Sequence, residues 1–217
     1  MPRPNTLFGG CLIGTSFTTP AQVQELLDQV KSFGIDRIDT AARYSPTNPG
    51  FSERLLGEFG LSNFSPELVA EFIAVCQEKD YIKSSVYQDL YNLLSRESEQ
   101  TPLAGGFLTG RATRGDTEGT RYAPDDQITA TLSPMYDKPA MHTAMSDLLD
   151  TIGPLEISGA EAYLRWLHYH SSLGAEDCVV LGASKIIQIV QNMTDVAKGP
   201  LPEVVVQKID SLYAKLH

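Results

Sequence analysis

The stretch RIDTAARYSPTNPGFSERLLG, residues 37–57, places an acid, Asp39, five positions before a tyrosine, Tyr44. A tyrosine hydroxyl is a weak acid, with an ordinary pKa of about 10, so proton donation at neutral pH needs a neighbouring cation to lower that value. Further polar residues follow the ends of apolar runs: Ser62 and Asn63, then Gln88. In parallel α/β folds the carboxyl ends of strands carry the active site. Turn formers are common in such loops anyway, so it is their joint occurrence that points to a site.

Two more stretches could hold phosphate. VVLGASKIIQIVQN, 179–192, reads as a strand, a small-residue turn and a helix start. The first amides of that helix, the helix dipole and the charge of Lys185 suit an anion. Gln188, Gln191 and Asn192 lie on neighbouring turns, within reach of an adenine or a ribose phosphate. PLAGGFLTGR, 102–111, is a glycine loop whose amides could approach a pyrophosphate, with Arg111 to neutralise it. It is neither a Walker motif nor G-x-G-x-x-G, and alone it reads as a flexible turn. His168 and His170 stand two apart on a helix and face different sides, which disfavours a two-histidine metal site and leaves solvated or partly packed histidines. Trp166, Leu164 and Leu167 read as core.

The elements that must position these residues follow a β-α-β-α beat. LFGGCLIG, 7–14, reads as a strand or strand pair. Thr19 suits an N-cap, Pro20 the first helical position and Gln22 a capping box, with Val23, Leu26, Leu27 and Val30 at helical spacing and Gly34 at the end. IDRID, 35–39, is the next strand and 51–59 the next helix. The beat then breaks. GEFG runs straight into LSNFSPELVAEFIAVCQEKD, where Ser65 caps another helix, so helix follows helix with no strand between. SSVYQ, 84–88, resumes as a strand, and the beat breaks again where YNLLSRESEQ passes directly to TPLAGGFLTG. Residues 111–139 read as a long loop. Helices are expected over 140–151 and from Ser158, with Glu161 completing a second capping box. A strand at 177–183, a helix at 184–197 and a last helix carrying Val204, Val205, Ile209, Leu212 and Leu216 close the chain.

With 217 residues, 42% hydrophobic and 20% charged, the chain has the make-up of one soluble globular domain. A net charge of −10 repels phosphate backbones, so nucleic acid is not an expected partner. Cys11, Cys76 and Cys178 have neither metal nor disulfide spacing and read as reduced thiols of a cytoplasmic protein. No apolar run approaches spanning length and the N-terminus lacks the features of a signal peptide, so no membrane association is expected.

In their order, IDTAARY…SERLLG, LSNFSPE, SSVYQDLYNLLSR, PLAGGFLTG and VVLGASKIIQIVQN resemble the aldo-keto reductases, most of all the aflatoxin-aldehyde-reductase branch and its fungal relatives. The resemblance implies an α/β fold, the (β/α)8 TIM barrel. It also implies NADPH-dependent reduction of an aldehyde or ketone to an alcohol without metal, in a setting of fungal secondary metabolism. Tyr44 resembles the proton donor and Asp39 its orienting acid; Asp39, Ser62, Asn63 and Gln88 match the nicotinamide end. Thr101, Leu103, Gly105 and Arg111 match the pyrophosphate loop, and Ser184, Lys185, Gln188, Gln191 and Asn192 the adenosine 2′-phosphate site. Lys185 favours NADPH over NADH, since a 2′-phosphate calls for a cation. The partner is a small carbonyl substrate, and a homodimer is left open.

The departures from the family fall where the beat broke. Between Gly60 and Leu61 the family carries two strands with their helices and most of a third strand, including the catalytic lysine and the substrate-orienting histidine. Between Gln100 and Thr101 it carries a helix and a strand whose aromatic residue stacks on the nicotinamide. The chain is therefore expected to be one domain over 1–217, internally truncated near 60/61 and 100/101, with an incomplete barrel. Eight strands take roughly 250 residues, and four are clear here, at 7–14, 35–39, 84–88 and 177–183. Of the eight lysines only Lys185 directly follows the end of a strand, so none is free to lower the Tyr44 pKa. The alternative function is a catalytically inactive remnant, at most a weak nucleotide binder.

Overall fold

Asn5–Gly9 forms the first strand, β1, and it is the centre of a parallel three-stranded sheet. On one side it pairs with β2, Ile38–Asp39, placing Gly9 opposite Asp39. On the other it pairs along its whole length with β5, Cys178–Gly182, from Asn5 opposite Cys178 to Gly9 opposite Gly182. Among the described strands, the first is thus flanked in parallel by the next and by the last in chain order, the neighbour order of a β/α barrel. Two further short strands, β3, Leu61–Ser62, and β4, Tyr87–Gln88, form a separate parallel pair. This computed structural model describes residues 3–10, 13, 17, 19–39, 61–62, 74, 87–88, 104–124 and 129–216. Among those residues no ladder joins the two sheets.

The helix α1, Pro20–Ser32, starts as its capping chemistry dictates. Thr19 Oγ1 accepts from the Gln22 amide at 3.3 Å and Gln22 Oε1 accepts from the Thr19 amide at 3.1 Å. Leu26 and Val30 are buried, and Gly34 leaves the helix at φ 75°, a conformation that costs glycine nothing. The expected helix at 51–59 and the one beginning at Ser65 lie outside the described residues, apart from a helical Ala74.

The segment expected to be a loop over 111–139 is more ordered than its composition suggests. A 3₁₀ turn over Ala104–Thr109 buries Phe107 and Leu108 completely, and Tyr122 and Ala123 are buried beyond it. Thr129–Tyr136 is a helix, α2, which takes Pro134 into its last turn. The helices α3, Pro139–Ile152, α4, Gly159–Tyr169, α5, Ile186–Ala197, and α6, Glu203–Leu216, agree with the sequence to within a few residues. Ser158 caps α4 by accepting from the Glu161 amide at 3.0 Å, but only half of the expected box forms, because the Glu161 side chain turns to Arg165 and Lys198. In α6, Val205, Ile209 and Leu212 are buried while Val204 is exposed.

The larger core joins Phe107 and Leu108 to Met145 and Leu148 of α3, Trp166 of α4, Val179 and Leu181 of β5, and Ile209 of α6. A smaller one packs Phe8 between Leu26 and Val30 of α1 and Ile189 of α5. Met193 of α5 touches both. Phe8 and its register partner Leu181 are therefore covered by helices. Leu7 and its partner Val180, on the other face, are only half-buried. Where α4 meets the 3₁₀ turn, Gly159 is required: a Cβ there would lie 2.5 Å from the Leu108 carbonyl oxygen. Among the described residues no helix is long and apolar enough to cross a membrane.

Candidate functional site

Parallel pairing brings the carboxyl ends of β1, β2 and β5 to one level, with Asp39, Gly9 and Gly182 side by side across the three strands. Asp39 thus shares an edge of the sheet with the Ala183–Ser184–Lys185 turn that leaves β5. Register likewise puts Ser62 directly opposite Gln88 at the ends of β3 and β4. Two residues assigned to the nicotinamide end, far apart in the chain, are neighbours in a ladder. Tyr44, Asn63, Thr101 and Leu103 lie outside the described residues.

The turn after β5 is built around one oxygen. Gln188 Oε1 accepts from the Ser184 amide at 2.9 Å, the Ser184 hydroxyl at 3.0 Å and the Lys185 amide at 3.1 Å. Lys185 is the N-cap of α5 and is exposed. Two backbone N–H groups and a hydroxyl aimed at one acceptor, beside a lysine and a helix N-terminus, are the donor set that a phosphate oxygen takes. Here that acceptor position is filled by the Gln188 side chain itself.

Gln191 and Asn192 follow on the next turn of α5. Gln191 Nε2 donates to Asp195 Oδ1 at 3.0 Å. Asp195 is almost wholly buried, and its oxygen also pairs with Lys198 Nζ at 2.8 Å. Lys198 Nζ lies 2.7 Å from Glu161 Oε2, whose other oxygen takes Arg165 NH1 at 2.6 Å. Hydrogen bonds donated to Asp195 and then to Glu161 raise the Lys198 pKa against the opposing effect of desolvation. The sequence reading did not include this network. The i, i+4 spacing of Glu161 and Arg165 was visible, but their buried setting depends on Lys198, 37 residues away.

In the glycine stretch, Gly105 lies within the 3₁₀ turn, and Gly106 adopts φ 100°. Arg111 is exposed and forked onto Asp116, with Nε–Oδ2 at 2.7 Å and NH2–Oδ1 at 2.9 Å, and NH2 also donates to the Glu118 carbonyl at 2.9 Å. The Asp116 hydrogen bond raises the Arg111 pKa, and its converse lowers that of Asp116. The phosphate-facing role assigned to Arg111 therefore competes with an acid five residues away that the sequence displays openly.

His168 departs from its expected setting. It is buried in α4, with Nδ1 2.8 Å from the Leu164 carbonyl and Nε2 3.1 Å from Thr6 Oγ1. A carbonyl only accepts, so Nδ1 carries the proton and Nε2 accepts from the threonine. Burial lowers the His168 pKa, opposed by the Leu164 hydrogen bond and assisted by the charge of Arg3. His170 is half-buried and accepts from the Leu201 amide at 2.9 Å. Neither histidine stands at the carboxyl ends of the strands. Cys178 is a half-buried free thiol in β5, and Cys11 and Cys76 lie outside the described residues.

No protein-family model matches the chain. Individual relatives do. Aldo-keto reductase pigE of Monascus ruber is 29% identical over 241 residues, covering 94% of this chain and 70% of the relative. Aldo-keto reductase MYCFIDRAFT_156381 of Pseudocercospora fijiensis is 28% identical, covering 87% of this chain and 75% of the relative. Aflatoxin B1 aldehyde reductase member 2 of Homo sapiens is 30% identical over 72% of this chain, which spans about half, 50%, of that relative's length. The stretch aligned with the Monascus ruber protein is longer than the 217 residues of this chain, so the relative carries residues within it that this chain lacks. The chain is a homologue of the aldo-keto reductases, an oxidoreductase family, with aflatoxin B1 aldehyde reductases among its relatives.

Proposed function

We propose that this chain is a NADPH-binding protein of the carbonyl-reductase type that keeps the adenosine-phosphate end of the cofactor site and reduces aldehydes or ketones only slowly. The observation that carries the reading is the convergence of the Ser184 amide, the Ser184 hydroxyl and the Lys185 amide on one acceptor position at the N-terminus of α5. Ser184 and Lys185 hold the phosphate, Gln191 and Asn192 flank it, and Ser62 and Gln88 serve the nicotinamide end. NADPH supplies a hydride when bound. Tyr44 and Asp39 match the family's proton donor and its orienting acid, but with no cation to lower its pKa Tyr44 gives the reduction little assistance. The small-molecule carbonyl is the partner, and two of the relatives are fungal aldo-keto reductases, in keeping with a fungal metabolic setting.

The slow rate follows from what the segments near 60/61 and 100/101 would contribute. Three observations support an incomplete barrel. The described strands fall into the sets β2-β1-β5 and β3-β4, divided at those two positions. Leu7 and Val180, on the face that a closed barrel fills, are only half-buried. The aligned relative carries additional residues. The same division favours the second reading, a remnant that binds nucleotide without turnover.

Fluorescence titration tests the cofactor assignment. The chain is expected to bind NADPH more tightly than NADH, and Lys185→Ala to narrow the difference by removing the cation that faces the 2′-phosphate. Equal affinity for the two nucleotides would contradict it.

A further inference from the structure

We propose that Asp195 is a positioning residue for the nucleotide site, holding the Gln191 carboxamide in one orientation for its ligand. The inference rests on the reading above that Gln191 flanks the cofactor.

Gln191 lies one helical turn before Asp195 on α5, and its Nε2 donates to Asp195 Oδ1 at 3.0 Å. Asp195 is 2% exposed. A buried carboxylate needs a partner to remain charged, and Lys198 Nζ stands 2.8 Å from the same oxygen. Lys198 is fixed in turn by Glu161, itself 4% exposed, and Glu161 by Arg165. Arg165 is held from beyond α5, donating through Nε to the Gly199 carbonyl at 2.7 Å and through NH2 to the Pro200 carbonyl at 2.6 Å. Each link is charge-assisted, and the chain runs from the core to one exposed glutamine.

The chemistry of Asp195 selects the orientation of that glutamine. A carboxylate accepts and does not donate, so the NH2 end of the carboxamide faces inward and Oε1 faces outward. A free surface glutamine samples many rotamers, and freezing it on binding carries an entropic cost. Asp195 meets that cost on folding, so Gln191 presents a fixed acceptor together with the second N–H of its amide. This is pre-organisation of a binding group by a buried charge. A simpler role would be to staple α5 to α4, and the two roles differ in whether the effect of Asp195 passes through Gln191.

The test is a double-mutant cycle on the full chain, read as equilibrium NADPH binding, with thermal melts run alongside. Gln191→Ala and Asp195→Ala are each expected to weaken binding roughly threefold to tenfold, the worth of one hydrogen bond. The double variant should bind no more weakly than Gln191→Ala alone. Asp195→Asn, whose carboxamide oxygen still accepts from Gln191, should restore most of the affinity. Additive losses in the double variant would overturn the proposal and leave a stapling role. Gln191→Ala binding like the unaltered chain would overturn it together with the Gln191 assignment; the Lys185 comparison of NADPH with NADH shows separately whether the wider reading stands. Should Asp195→Ala fail to fold, Gln191→Asn carries the test. It keeps the carboxamide but is one methylene shorter, so it should bind as weakly as Gln191→Ala, and full affinity would overturn the proposal.

Discussion

Thr6 Oγ1 in β1 donates to Nε2 of His168 in α4 across 3.1 Å, joining residues 162 positions apart. In that direction the bond requires a neutral His168, because its other nitrogen donates to the Leu164 carbonyl. Burial first, and the charge of Arg3 after it, hold the His168 pKa down. Burial also lowers that of His170, which accepts from the Leu201 amide.

Both histidines have folded-state values below their unfolded ones, so the unfolded chain binds the extra protons. The stability they confer is full above the unfolded value of about 6.5 and is lost as pH falls toward the folded values. Thermal melts should therefore show a lower melting temperature at pH 5.5 than at pH 7.5. Replacing His168 by leucine should flatten that slope while lowering stability at pH 7.5 by about 1–3 kcal/mol, because the Leu164 and Thr6 groups lose their partner. A melting temperature that rises on acidification would contradict the assignment.

Glu161→Gln should be strongly destabilising. It removes the charge that Arg165 and Lys198 share and leaves the buried Arg165 guanidinium facing a neutral amide. Removing one partner of a buried pair costs roughly 3–5 kcal/mol. Lys198 keeps Asp195, and Arg165 keeps two carbonyls, so the lower end is expected. Urea denaturation measures it, and a loss below about 0.5 kcal/mol would show that the network acts like an exposed ion pair.

Gly159→Ala should also destabilise, although alanine is the better helix former by about 1 kcal/mol. The new Cβ would meet the Leu108 carbonyl oxygen at 2.5 Å and that of Thr109 at 3.0 Å. Those are backbone atoms and cannot swing aside, so α4 must lift from the 3₁₀ turn. The expected cost is about 1–3 kcal/mol by the same denaturation measurement. A stabilised variant would mean that this contact is looser than it stands.

Local chemistry was readable from the sequence, and distant pairing was not. The Thr19–Gln22 box formed as its spacing requires, since both partners lie within one turn. Ser158 capped its helix, but Glu161 left the box for Lys198, a partner no window of sequence contains. The 111–139 stretch reads as loop by its glycines, threonines and charges. Phe107, Leu108 and Tyr122 order its start by burial against distant helices, and Thr129–Tyr136 is helical despite Pro134. The separate faces of His168 and His170 followed from helical spacing, whereas the burial of His168 came from β1. Of the candidate site, the 184–188 turn ahead of its helix was legible because strand, small residues and lysine are contiguous. The pairing of Ser62 with Gln88 needed the sheet, and β3 is too short to announce itself.

The central claim is that the nucleotide end of the site survives while the assistance to Tyr44 has gone with the segment near 60/61. NADPH oxidation with 4-nitrobenzaldehyde tests it most directly. Three proteins are compared: this chain, its Tyr44→Phe variant, and a version with both segments restored from the Monascus ruber relative. Loss of general acid assistance costs on the order of 10²–10⁴-fold in rate. The first two should therefore be indistinguishable and the third active. Robust turnover by the unrepaired chain that vanishes in Tyr44→Phe would contradict the account, since another group would then be lowering the pKa of Tyr44.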